Sequence, residues 1–186
     1  MVFLIAMAAR ILKRNYFNRP TLTVARSLLG KYLVRQNGRA MRAGRIVEVE
    51  AYIGREDRAC HASKGRTART DVMFGPAGVA YVYLVYGMHH CFNIVTERVG
   101  HPSAVLVRAV EDVETRALID GPGRICRFLA IDRRLNRVDL TEGKLLWVED
   151  RGERVAPTAV MRGRRIGVDY AGPWAKKPWR FRLAGR

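Results

Sequence analysis

Acidic residues are scarce in this chain: 17 Asp and Glu stand against 34 Lys and Arg, a formal net charge of +17 over 186 residues. Such a field draws a polyanion, nucleic acid first and an acidic membrane second. A GC-rich genome or a hot habitat is the plain alternative, since either enriches Arg. Cysteine is almost absent. Cys60, Cys91 and Cys126 are odd in number, far apart and never in a C-x-x-C pair. That excludes a disulfide framework and points to a reducing cytoplasm. Long apolar runs are also missing. The stretch "MVFLIAMAA", Met1 to Ala9, is too short to span a bilayer. It has no basic segment before it, and "RILKR" follows on the wrong side for a signal peptide. An N-terminal strand or helix, or an upstream start codon, fits it better. No repeat, low-complexity linker or block of like charge breaks the chain. The positive charge therefore belongs to folded sequence rather than to a disordered tail.

What is present suits one domain with a sizeable core, 48% of the residues being hydrophobic. Most of the cations are Arg, whose planar fork suits phosphate and stacking. "RPTLTVARSLLG" predicts a short helix with Thr21 as N-cap and Gly30 as its stop. "KYLVRQNGRAMRAGRIVEVEAY" reads as strand, an Asn37-Gly38 turn, then one or two strands. Residues 53–78 have Gly, Pro, Ser and charge without a period, a long loop of the kind that carries function. Strands are expected near 79–85, 91–96 and 103–110, a helix opened by Pro122, and short strands near Leu145–Val148, Val155–Thr158 and Arg164–Val168. Strands dominate and helices stand apart. The fold class is α+β, built around an antiparallel sheet.

Strand parity says what faces what. In "RIVEVEAY", Val47, Val49 and Ala51 point one way, and Ile46, Glu48, Glu50 and Tyr52 the other. A solvated outer face is the commoner place for two glutamates. Arg108, however, sits in the apolar run "AVLVRAV" and needs a carboxylate partner, which this strand can supply. Such a Glu–Arg pair is structural or catalytic, and spacing does not choose between them.

The stretch "YVYLVYGMHHCFNIV" packs Tyr81, Tyr83 and Tyr86 around a turn. Tyr81, Tyr83 and Val85 share a face, and a hairpin folded about Met88 sets Tyr83 roughly opposite Asn93. Tyr86 and Met88 fall at the tip. A tip wedge can insert between base steps, and paired aromatic faces can sandwich an extruded base. An ordinary core hairpin is the simpler reading of any one of these residues. Two other signals are discounted. His89, His90 and Cys91 are adjacent and point in opposite directions, which does not suit a zinc site. "GPGR" before a helix is weak evidence for a phosphate site. Two further classes explain the charge and aromatics: an RNA-binding module with a stacking platform, and a DNA-bending protein. Neither needs Glu50 beside Tyr52, since a carboxylate repels phosphate.

Taken in order, "ARSLLGKYLVR", "GRIVEVEAYIGREDRACHASKGRTARTDVMF", "AYVYLVYGMHHCFNIVT", "AVLVRAVE" and "GVDYAGPWAKKPWRFRL" resemble the alkyladenine (3-methyladenine) DNA glycosylases of the bacterial branch. The resemblance runs from about Tyr16 to Leu183. It implies a single glycosylase domain over 16–186, an unmatched segment over 1–15, and a curved antiparallel sheet with a protruding hairpin. Glu50 matches the general base, with Glu48 unassigned. Arg108 and the backbone carbonyl of Ile166 match the residues that hold the attacking water. Tyr52, His61 and Tyr83 match those stacked on the flipped base, with the His61 backbone also reading its edge. Asn93 matches the residue that disfavours a purine 2-amino group, and Tyr86 and Met88 match the intercalating tip. Cys60, Ala68 and Asp112 depart from the pattern at loop positions.

The implied activity is monofunctional. It flips alkylated or deaminated purines (3-methyladenine, 7-methylguanine, hypoxanthine) from double-stranded DNA and hydrolyses the N-glycosidic bond. No metal, organic cofactor or membrane is implied, and a monomer associated with the cytoplasmic nucleoid is expected. The residues suit the chemistry. An oxocarbenium-like state needs a positioned water and a carboxylate. Only Lys64 among the lysines is near the motifs, which favours water over a Schiff base.

Overall fold

The computed structural model of the chain describes residues 9–185. The expectation for the apolar start therefore lies, up to Ala8, outside the described residues. Beyond it, β1 (Arg10–Ile11) pairs antiparallel with β8 (Leu146–Asp150). Leu12 and Phe17, the latter on α1 (Arg14–Phe17), are buried in the main core. Part of the stretch expected to be unmatched is thus built into the fold.

β2 (Tyr32–Asn37) turns back through Gly38 into β3 (Ala40–Ile53), the longest strand. After the long loop come β4 (Ala80–Val85), β5 (His89–Val95), β6 (Ser103–Asp112) and β7 (Leu118–Asp120). The chain closes with β9 (Val160–Gly163) and β10 (Arg180–Leu183). The main path of the sheet is β1-β8-β2-β3-β6-β5-β4, with β10 joining β3 to β9 and β7 on β6, all antiparallel. The first half of β3 pairs with β2 and its second half with β10, while β6 runs along the opposite side. A strand that changes partner midway must bend. The irregularity in the β3–β6 register between Ile46 and Val49 marks the bend. The outcome is the expected α+β fold, with the sheet curled into an antiparallel half-barrel.

The two faces of the sheet are covered differently. Val49, Ala51, Ala80, Val82, Phe92, Ile94, Val105 and Val107 point into the main core. There they meet Val24 and Leu28 of α2 (Thr21–Leu28) and Ile125 of α3 (Pro122–Phe128). Residues of opposite parity, among them Tyr81, Val95 and Ala104, form a smaller cluster with Cys60, Ala62, Met73 and Phe74 of the long loop. Short 3-10 turns at His61–Lys64 and Asp71–Phe74 punctuate this loop. All three cysteines are free and buried. No helix of the described residues is long and apolar enough to cross a membrane.

Four local expectations are corrected. Thr21 is the first helical residue rather than the cap. Its amide donates to Glu97 Oε1 at 3.0 Å, so a carboxylate from a distant loop satisfies the helix end. Ile46 does not share the face of Glu48, because the bulge sends both Ile46 and Val47 into the core. The strand expected at Val155–Thr158 arrives later: Pro157 opens a 3-10 turn, and pairing begins at Val160. Arg164–Val168 is no strand either. Arg165 turns inward to an ion pair, and Gly167 takes a φ of 73°.

Candidate active site

Parity places the site. Glu48, Glu50 and Tyr52 of β3 stand on the face away from the main core, as do Tyr81 and Tyr83 of β4, Cys91 and Asn93 of β5, and Leu106 and Arg108 of β6. With the long loop on one side and the 166–170 segment on the other, all of these but Glu48 and Glu50 line a cavity of about 400 Å³. Its lining includes Tyr52, His61, Tyr83, Asn93, Arg108 and Ile166. The size falls within the range of small-molecule sites, roughly 300–1,000 Å³.

Glu50 lies just behind the wall formed by Tyr52 and Ile166, with no exposed surface. Three donors converge on it. The Ile166 amide donates to Oε1 at 2.8 Å, the Tyr52 hydroxyl to Oε2 at 2.8 Å, and Arg108 Nε stands 3.5 Å from Oε1. Arg108 also donates to Glu48 Oε1 at 3.2 Å. The partner expected for this half-buried arginine is thus supplied by both glutamates of β3. Burial raises the Glu50 carboxyl above the usual glutamate range, and Arg108, the Ile166 amide and the Tyr52 hydroxyl pull the other way. Burial, followed by the charge of Glu50, holds the Tyr52 phenol well above its ordinary value, so it remains a donor. The amide of Ile166 thus meets the carboxylate, while its carbonyl is the group that the resemblance assigns to the attacking water.

The aromatic walls are braced from behind. The Arg165 guanidinium sits 4.8 Å from the Tyr52 ring centroid. It is locked by Asp57 at 2.5 and 2.8 Å and by the carbonyls of Ala51 and Trp174 at 2.8 and 3.1 Å. Both members of this pair are fully buried, and the two bonds to Asp57 supply the counter-charge that such burial demands, with Arg165 Nε alone left without a partner among the described residues. Opposite, the His61 ring meets Tyr83 edge-on at 4.7 Å, and its Nδ1 lies 2.9 Å from the Tyr81 hydroxyl. Burial, followed by the charges of Arg69 and Lys64, lowers the His61 pKa to about 4, so the ring is neutral near pH 7. Burial likewise raises the Tyr83 phenol.

The register corrects one pairing. Tyr81, not Tyr83, stands opposite Asn93, and Tyr83 faces Cys91, because the turn centres on Gly87 one residue before Met88. Asn93 is buried, donates to the Tyr81 carbonyl at 3.2 Å and lines the cavity. At the tip, Tyr86 and Gly87 take φ of 51° and 70°, and the Met88 amide donates to the Val85 carbonyl at 3.0 Å. This is the backbone of a type I′ turn, with a tyrosine where Asn or Gly is usual. Tyr86 is 88% and Met88 70% exposed.

Of the expected residues, Tyr52, His61, Tyr83, Tyr86, Asn93, Arg108 and Ile166 line one cavity, Glu50 lies behind it, and Met88 stays at the exposed tip. Sequence reasoning placed Tyr81 on the face of Tyr83 without giving it a role, and passed over Arg69, Tyr170 and the Asp57–Arg165 lock. The lock could not have been found, because Asp57 and Arg165 are far apart in the chain and neither lies in a regular element. No group of three or more potential metal ligands occurs among the described residues.

Comparison with known proteins agrees with this geometry. A relative from Myxococcus xanthus, provisionally named 3-methyladenine DNA glycosylase, is 58% identical over 175 residues, covering 91% of this chain and 88% of its own. Relatives with the same provisional name from Methanocella arvoryzae and Legionella pneumophila (strain Corby) are 50% and 49% identical, each covering 92% of this chain and 91% and 93% of their own. A model of the family described as methylpurine-DNA glycosylase matches residues 15–186. With an aromatic cavity, a buried carboxylate behind it and near-complete coverage by these likenesses, the chain belongs to the methylpurine-DNA glycosylase family of N-glycosyl hydrolases.

Proposed function

We propose that this protein is a monofunctional glycosylase acting on duplex DNA. It extrudes a 3-methyladenine, 7-methylguanine or hypoxanthine nucleotide and hydrolyses its N-glycosidic bond with a water activated by Glu50. The observation that carries the reading is the position of the Glu50 carboxylate. It is fully buried, bonded to Tyr52 and Ile166 and 3.5 Å from Arg108, directly behind an aromatic cavity.

The geometry supports these roles. The purine enters between Tyr52 on one side and His61 and Tyr83 on the other. The sugar C1′ then stands toward Arg108 and Ile166. Water reaches Glu50 through the gap these two line, gives up its proton to the carboxylate and bonds to C1′ as the N-glycosidic bond breaks. The bonding pair leaves on the purine. The anionic carboxylate also favours the positive charge that builds on the sugar. An N3- or N7-alkylated purine is already cationic and leaves as a neutral base. Hypoxanthine needs a proton before it leaves. Neutral His61 can accept hydrogen bonds without repelling a cationic base. Asn93 lies on the cavity wall, where its amide can test for a 2-amino group. Tyr86, at the exposed tip, fills the gap left in the duplex while Met88 packs beside it. No step requires a second subunit, and the protein acts as a monomer.

The test is a duplex with one hypoxanthine, incubated with the protein and then treated with alkali. Strand breakage that needs the alkali is expected, since water rather than a lysine performs the displacement. Breakage without alkali would oppose the monofunctional mechanism. Its complete lack in both arms, with 7-methylguanine DNA also left intact, would overturn the reading.

A further inference from the structure

Two arginines line the cavity, and they are held in different ways. Arg108 is shared between Glu48 and Glu50. Arg69, on the long loop, forms no ion pair among the described residues and is exposed. Its guanidinium carbon instead lies 4.8 Å from the centroid of Tyr83. An uncompensated cation thus sits against one of the two aromatic walls, at the base end of the cavity rather than at the carboxylates. We propose that Arg69 is a charge filter: a specificity-determining residue that biases the site away from cationic alkylpurines and toward neutral lesions. The proposal rests on the glycosylase reading above and concerns the substrate class of that same cavity.

The physics is twofold. A ring whose π cloud already faces one guanidinium offers less to a second cation stacked near it. The charge, screened by solvent only on its exposed side, also repels a cation placed beside Tyr83. His61 already registers that field, since Arg69 follows burial among the causes that keep its ring unprotonated. A neutral base such as hypoxanthine is nearly indifferent to both effects. Arg165, behind Tyr52, does not act in this way because the Asp57 carboxylate cancels its charge at 2.5 Å. The two walls therefore differ, one backed by a neutralised pair and the other by a bare cation.

The experiment compares single-turnover release of 7-methylguanine and hypoxanthine from matched duplexes by the wild type, R69Q and R69K. Any part that Arg69 plays in holding a DNA phosphate affects both substrates alike and cancels in the ratio. R69Q should raise the 7-methylguanine to hypoxanthine ratio by about three- to tenfold, the scale of one cation–π interaction. R69K keeps the charge and should stay within about twofold of wild type. An unchanged ratio in R69Q, or an equal shift in R69K, overturns the filter while leaving the glycosylase reading intact. A wild type that releases neither base overturns that reading and the filter with it.

Discussion

Replacing Glu50 by Gln separates the carboxylate's chemistry from its architecture. The amide has nearly the shape of the carboxylate, and the surrounding donors can adapt to it. Its oxygen can accept from the Ile166 amide, now at 2.8 Å, and from Arg108. Its nitrogen then faces the Tyr52 oxygen, also at 2.8 Å, and the hydroxyl can reverse from donor to acceptor. Arg108 keeps Glu48 at 3.2 Å as counter-ion. Charge-assisted bonds become neutral ones, but a buried charge whose desolvation outweighed its partners is removed as well. The net change in stability should be about 1 kcal/mol or less. The rate should suffer far more. An amide takes no proton from water, so a general-base factor of roughly 10²–10⁴ is lost, about 2.7–5.4 kcal/mol. Glu48→Gln should do much less, since Glu48 reaches the site only through Arg108. Three measurements decide the matter: denaturant unfolding, affinity for an uncleaved duplex, and single-turnover release of hypoxanthine. A Glu50→Gln protein that folds, binds and keeps most of its single-turnover rate refutes the reasoning. A loss of more than about 3 kcal/mol of stability would show instead that the carboxylate holds the structure together.

Because burial raises the Glu50 carboxyl, release of 7-methylguanine should fall on acidification at a pH above that of an ordinary glutamate, as the base takes up its proton. A rate that stays flat down through the usual carboxylate range would count against Glu50. His61 has a folded pKa of about 4 against an ordinary 6.5, so the unfolded chain binds its proton first as pH falls. Stability should decline from about pH 6.5 toward 4 by up to about 3 kcal/mol for this group, and His61→Gln should remove that part of the slope in unfolding titrations. Asn93→Ala should relax exclusion of guanine relative to hypoxanthine; an unchanged excision ratio from matched duplexes places discrimination elsewhere. Tyr86→Ser should hurt most in paired DNA and least in mispaired or single-stranded DNA, where extrusion is cheap, whereas the Tyr83→Ala defect, about 1–3 kcal/mol of stacking, should persist in all three. Equal, context-independent losses would mean that both tyrosines merely hold the hairpin.

Period-two patterning made much of this site legible. Glu48, Glu50 and Tyr52 alternate on β3, Tyr81 and Tyr83 on β4, and each set was read onto the correct face. The reading failed where the chain leaves regular pairing. The bulge at Val47 moved Ile46 into the core, and no local signal announces a bulge in a run of apolar residues. The hairpin register slipped because the turn contains Tyr86 in a left-handed conformation, which propensity places on Asn or Gly. Arg164–Val168 was expected as a short strand, yet Arg165 pairs with the buried Asp57 and the segment does not extend the sheet. The wall behind Tyr52 is thus a tertiary product. Its two halves come from loops whose own sequences contain no sign of each other.

The same Tyr86 has a bearing on how such an enzyme could be made more robust. A bulky residue at φ 51° is held in a conformation that costs about 1 kcal/mol and that Gly or Asn would adopt freely. Its side chain, 88% exposed, packs against little in the free protein. A search for hardier variants by heat alone would therefore favour Asn or Gly at this position, and would select a sturdier protein with a blunt tip. The ring is kept at a thermodynamic loss to the free fold, and on the proposed function the gain comes only when a duplex is present to receive it.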